Sequence, residues 1–164
     1  MSRLTANFDY AGWWRGGVAF VACVLRRDGD VVAESLTEIG YPRMGAMTAR
    51  GRRPDTTFGE LRALHHAMML GRKHLIAKDE VLVVCGDSEG AVKVGSGKLN
   101  SNPAHRRLGV KILRLISEVP VRVVVQWVPR EQNALAHELA NSRIPRRESD
   151  EPVEAGVERL LDVP

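Results

Sequence analysis

Asp9, Glu60 and Asp87 are carboxylates carried by three separate segments, and His137 follows them in a fourth. Asp9 lies in LTANFDYA, which alternates loosely like a strand, and Glu60 lies near the start of FGELRALHHAMMLG, which has helical spacing. Asp87 ends EVLVVCGD, a short continuous apolar run of the kind a strand covered on both faces would have. His137 stands in VQWVPREQNALAHELAN, where a fourth acid would complete the set. Carboxylate oxygens are hard ligands that suit magnesium or manganese. Two such ions about 4 Å apart can activate a water and stabilise the leaving 3′ oxygen of a phosphodiester. A neutral imidazole ligates manganese, zinc or cobalt more readily than magnesium and adds no negative charge. With His137 as a fourth ligand the site would hold its metals less tightly than four acids would.

Each acid also has a plainer reading. Asp9 could be a strand-edge acid, Glu60 a first-turn acid complementing the helix dipole, and Asp87 the cap of a helix starting at Ser88. Their joint placement in the chain is what singles them out, so the elements that carry them matter. Residues 4–11, 17–27 and 31–40 read as three strands, the last two joined by an Asp-Gly turn, which predicts an antiparallel meander. A loop over 41–57 holds Pro42, Gly45, Gly51 and Pro54 and is rich in arginine. A helix follows over residues 57–74, with Thr56 or Thr57 as N-cap and the Met68–Met69 pair as core filler.

Beyond Asp87 a short helix breaks at 95–97, and Pro103 starts a longer one with Leu108, Ile112, Leu115 and Ile116 on one stripe. VRVVVQWV reads as a buried strand ended by Pro129, and residues 131–142 as a short amphipathic helix. The order β-β-β-α-β-α-α-β-α predicts an α/β fold: a five-stranded mixed sheet with helices on both faces. Strand one and strand four can be neighbours in such a sheet. Ligands of sheets with crossover helices gather at the carboxyl ends of those strands, so Asp9 and Asp87 can meet there.

The remaining features bound the chemistry. The chain has 164 residues, enough for one domain over 1–144 and a tail over 145–164. A net charge of +4 and a pI of about 9.4 favour a polyanionic partner. The tail has three basic residues against six acidic ones, so the body is more basic than the total implies. Val153, Val157, Leu160 and Leu161 give the tail helical apolar spacing. It reads as a short helix packed on the body, or more sharply as a partner-binding or autoinhibitory segment. Cys23 and Cys85 lie in apolar runs and read as buried thiols, not as a disulfide or zinc site. No apolar signal core or membrane span is evident, so a reducing cytoplasm is the expected compartment and no membrane contact is inferred.

The Asp9 strand, FGE(60)LRAL, VVCGD(87)S and WVPREQNALAHELAN together resemble type I ribonuclease H, most closely its compact microbial and plant-type members. The likeness covers roughly residues 4–143, and residues 127–141 are its most specific stretch. It implies a ribonuclease H-like fold. Asp9, Glu60 and Asp87 fall on three of that family's four metal-binding acids, and His137 falls on the fourth. The resemblance further implies two magnesium or manganese ions and an RNA–DNA hybrid as partner. The hybrid's RNA strand would be cut to leave a 3′ hydroxyl and a 5′ phosphate. Phosphate contacts are expected from Arg50, Arg52, Arg53, Thr56 and Thr57, and from Arg106, Arg107 and Lys111. His105, which starts a helix among arginines, could join them.

This sequence departs from the family at Tyr10, where glycine is usual, and carries Trp13 and Trp14 in the following turn. Two alternatives accompany the hybrid-cleaving reading. One is a weak or inactive nucleic-acid-binding module of the same fold, crippled at His137. The other is a structure-specific DNA nuclease of that fold. No protein partner is inferred.

Overall fold

A computed structural model describes residues 2–13, 17–40, 55–78 and 80–145. Arg50, Arg52, Arg53, Trp14 and the tail from 146 onward lie outside the described residues. The chain forms β1 (Arg3–Trp13), β2 (Val18–Arg27), β3 (Asp30–Gly40), α1 (Thr56–His74) and β4 (Val81–Gly86). Then follow α2 (Glu89–Gly95), α3 (Pro103–Glu118), β5 (Arg122–Trp127), a 3-10 turn (Arg130–Asn133) and α4 (Ala134–Asn141). The five strands lie in the order β3-β2-β1-β4-β5. The first three pair antiparallel, and β4 pairs parallel to β1 and β5. This is the mixed sheet expected from the element order.

The β2–β3 hairpin turns at Asp28 and Gly29, both with positive φ (52° and 107°). Paired left-handed residues follow the right-handed twist of the strands, which is why Asp-Gly suits this turn. The Asp28 carboxylate also accepts from the Arg3 amide and the Ser2 hydroxyl, each at 3.0 Å.

Alternation along the strands sorts the core. Leu4, Ala6 and Phe8 of β1, with Val21, Cys23 and Leu25 of β2, face Leu61, Leu64 and Met68 of α1 and Ile112 and Leu115 of α3. On the other face Ala11 and Ala22 pack against Ala140 of α4, with Leu36, Leu139 and Ile144 alongside. Small residues on both sides let α4 lie close to the strand that carries Asp9. Helices therefore occupy both faces. Both cysteines are buried and free. No described helix is long and apolar enough to cross a membrane.

Four expectations are corrected. The N-cap of α1 is Asp55, whose carboxylate accepts from the Phe58 amide at 2.9 Å, and neither Thr56 nor Thr57 caps it. Glu60 consequently sits past the first turn. Met68 is fully buried but Met69 is 50% exposed, because successive helical residues point about 100° apart and only one can face the sheet. β5 is an edge strand with half-buried residues, since only β4 flanks it. Residues 131–142 are not one helix: a 3-10 turn leads into α4.

Candidate active site

β4 ends at Gly86, while β1 continues to Trp13. The registered parallel pairs stop at Asn7 opposite Cys85. Asp9 and Asp87 each lie two residues further on, so the two acids emerge side by side where β1 loses its β4 neighbour. Asp87 does not cap α2. Ser88 does, with its hydroxyl accepting from the Ala91 amide, which leaves the Asp87 carboxylate free for other contacts.

Glu60 reaches the same edge from α1. The approach depends on Gly59, because a Cβ there would lie 2.4 Å from the Tyr10 ring. Tyr10 thus lies under the start of α1 and packs on the main core, instead of reaching outward toward a substrate. The bulk that departs from the family's glycine is accommodated by a glycine on the facing helix.

Asp9, Glu60 and Asp87 each offer a carboxylate oxygen within 4.8 Å of the others. His137 is not in that set. Its Nδ1 lies 2.8 Å from Asp9 Oδ2. An ionised carboxylate only accepts, so with Asp9 ionised Nδ1 carries a proton, and in the neutral imidazole Nε2 keeps a lone pair. Asn141 sits one turn on and donates to the His137 carbonyl at 2.9 Å.

The electrostatics follow from crowding. Burial, with the Asp9 and Asp87 charges adding to it and Arg130 opposing, pushes the Glu60 carboxyl up to about 9. Burial also raises Asp9, against the Tyr10 amide and the His137 hydrogen bond, with Asp87 adding to the rise. Among the described residues Glu60 Oε2 is buried without a hydrogen-bond partner. Three crowded carboxylates, one with an orphaned oxygen, are an unstable combination unless protons or cations neutralise them. The donor set is all hard oxygen, so it fits magnesium or manganese.

Sequence reasoning overlooked several residues that build this edge. Arg130 Nε donates to Asp87 Oδ2 at 3.2 Å and sets a cation beside the acids. Asn133 is fully buried, donates to the Phe8 carbonyl at 2.8 Å and accepts from Asn7 Nδ2 at 3.2 Å. It bolts the start of α4 to β1 one residue from Asp9 and so sets where His137 stands. Trp127 Nε1 donates to the Asp87 carbonyl at 3.0 Å. The VPREQN string held Arg130 and Asn133, but nothing in it separates a buried amide from an exposed one.

Of the expected phosphate contacts, Thr56 is exposed and Thr57 half-buried in the first turn of α1, and Arg106, Arg107 and Lys111 are exposed on α3. His105 does not join them. It is buried, with Nε2 2.8 Å from Asp55 Oδ2. That contact ties the start of α1 to the start of α3.

The reverse transcriptase-like family matches residues 41–143. Structures of ribonuclease H1 share the fold. The enzyme of the halophilic archaeon Halobacterium salinarum is 27% identical at a TM-score of 0.65, with 85% of this chain and 96% of that one covered.

The chain belongs to the ribonuclease H family.

An N-terminal ribonuclease H domain from Mycobacterium tuberculosis is 26% identical at a TM-score of 0.67, with 87% of this chain and 93% of that one covered. A ribonuclease H1 isolated from compost by a metagenomic approach is also 26% identical, at a TM-score of 0.68, with 87% and 95% covered. No curated protein matches the chain by sequence. The α/β ribonuclease H fold is thus shared over nearly the whole of each relative. The protein is a ribonuclease H-type nuclease, and its three clustered acids lie at the carboxyl edge of the ribonuclease H sheet.

Proposed function

We propose that this protein is a metal-dependent endoribonuclease that hydrolyses the RNA strand of RNA–DNA hybrids. The observation that carries the reading is the convergence of Asp9, Glu60 and Asp87 within 4.8 Å from three separate elements. These three would hold two magnesium or manganese ions. Ions bound there would supply a hydroxide-like nucleophile and neutralise charge developing on the phosphate.

The chain's own groups have separable tasks. Asp9 orients His137 by accepting from its Nδ1, which leaves Nε2 able to take up a proton or to act as an auxiliary ligand. Arg130 restrains Asp87 and offsets the negative charge of the cluster. Thr56, Thr57, Arg106, Arg107 and Lys111 would grip the phosphate backbone beside the acids. Arg50, Arg52 and Arg53, which lie outside the described residues, would extend that grip.

A second reading is favoured by one observation. His137 commits Nδ1 to Asp9 and brings no negative charge, so the site has three carboxylates instead of four. That supports a weakened catalyst, or a hybrid-binding module without turnover. Incubating the protein with a labelled hybrid in magnesium or in manganese separates the readings. Cleavage that Asp87→Asn abolishes is expected. Retained binding without cleavage in either metal would leave the binding module. Cleavage of duplex DNA but not hybrid would leave a structure-specific DNA nuclease.

The His137→Asp variant adds a charge to the cluster and is expected to raise magnesium-dependent cleavage by about tenfold. It should narrow the preference for manganese. Rates unchanged in both metals would place His137 outside the working site.

A further inference from the structure

Asp55 and His105 are 50 residues apart in the chain, and both are buried. His105 Nε2 contacts both carboxylate oxygens of Asp55, at 3.0 and 2.8 Å. The same carboxylate accepts from the Phe58 amide and caps α1. One side chain therefore caps the start of α1 and ties it to α3, whose first turn carries His105 just after its own cap, Asn102. The Phe58 ring stacks at a tilt near His105, with centroids 6.1 Å apart.

We propose that the buried Asp55–His105 pair is a positioning element of the active site, fixing where Glu60 stands against Asp9 and Asp87. This rests on the metal-binding reading of those acids. Glu60 is five residues beyond Asp55 in the same helix, so a shift of the cap moves the carboxylate with it. Among the described residues Glu60 Oε2 has no hydrogen-bond partner, so where this carboxylate stands beside Asp9 and Asp87 depends on what holds the start of α1. Packing against Tyr10 at Gly59 limits motion toward the sheet but does not resist motion away from it. The pair supplies that second restraint, from the side, through a helix anchored in the core by Leu108 and Ile112. Its contacts are short and buried, so loss of either partner strands the other without solvent.

Three full-length variants test this, with Mn2+ affinity read by calorimetry and with kcat and KM measured on hybrid at saturating Mn2+. Asp55→Ser keeps a capping oxygen but is too short to reach His105. Asp55→Asn keeps both the cap and a group facing His105. His105→Ala removes the tie. Asp55→Ser and His105→Ala are expected to weaken Mn2+ binding and lower kcat by about tenfold each. KM should change less than threefold, and Asp55→Asn should stay within threefold of wild type in every readout.

Folded Asp55→Ser with reduced melting temperature but wild-type Mn2+ affinity and kcat would overturn the proposal. A wild-type measurement stands beside the variants and does not depend on their folding. If the pair favours metal binding, metal binding must tighten the pair to the same degree. Solvent exchange of the His105 Nε2 proton, followed by NMR, should then slow severalfold on adding Mg2+. Unchanged exchange at saturating Mg2+ would overturn the proposal. Failure of the parent reading is recognised separately: wild type and Asp87→Asn would bind Mn2+ alike, which sinks both.

Discussion

Glu60→Gln is expected to make the metal-free protein more stable while removing its activity. The Glu60 carboxyl titrates at about 9 in the fold, against an ordinary value of 4.5. The sign of the linkage follows from who holds the proton. Below pH 4.5 folded and unfolded chains both hold it, and the group costs nothing. Between pH 4.5 and about 9 the unfolded chain releases the proton and the folded chain retains it, so stability falls as pH rises. The amide introduced by Glu60→Gln cannot ionise, and that loss disappears.

At pH 8 in chelator the variant should gain roughly 1–2 kcal/mol, seen as several degrees in melting temperature. Its stability should also be flatter with pH. Magnesium should stabilise the wild type by mass action and the variant little. Hydrolysis should fall on the order of a hundredfold to a thousandfold. A variant no more stable than wild type in chelator would mean that Glu60 is not crowded by Asp9 and Asp87.

Arg27→Ala is expected to be the most damaging single change away from the acids. Arg27 Nε donates to Glu80 Oε1 at 2.9 Å, and its Nη2 donates to the His74 carbonyl. The Glu80 side chain has no exposed surface, and its other oxygen accepts from the Ile76 and Ala77 amides. Glu80 thus stitches the end of α1 to the start of β4, six residues upstream of Gly86. Removing the guanidinium leaves a buried carboxylate without its countercharge, at a cost of about 3 kcal/mol or more.

Acid titration reports the same site. Burial works to raise the Glu80 carboxyl, but the Ile76 amide, Arg27 and the Ala77 amide outweigh it and hold the group below its ordinary value of 4.5. Its contribution is therefore present above that value and lost as pH falls through the lowered one. Urea unfolding from pH 6 to pH 3 should show this loss in wild type and a shallower one in Glu80→Gln. Equal slopes would remove Glu80 from the account.

The candidate site is built from residues of two kinds. Asp9 and Asp87 are delivered by strand pairing, which the parallel register fixes. Glu60 and His137 are delivered by helices, whose placement depends on Gly59 against Tyr10, Asp55 with His105, and Asn133 against β1. Strand delivery is rigid, whereas helix delivery needs these auxiliary ties. Together the two kinds of delivery bring the three acids within 4.8 Å of one another.

The order of elements, the mixed sheet, the three acids and the substituted fourth position were all legible in the chain before any fold was known. The element order and the sheet follow from local periodicity and turn chemistry, the three acids from their joint placement among the elements, and the fourth position from the resemblance to ribonuclease H. Three-dimensional packing was needed to show that Asp55 and not a threonine caps α1, that His105 is buried and not a phosphate contact, and that His137 turns Nδ1 to Asp9. It also made Glu80, an ordinary acid in sequence, an interior anchor. One cause is common to all four. The role of a polar side chain is set by its burial and by the partner that satisfies it, and here each of the four has a partner between 50 and 128 residues away, with the Phe58, Ile76 and Ala77 amides as local additions.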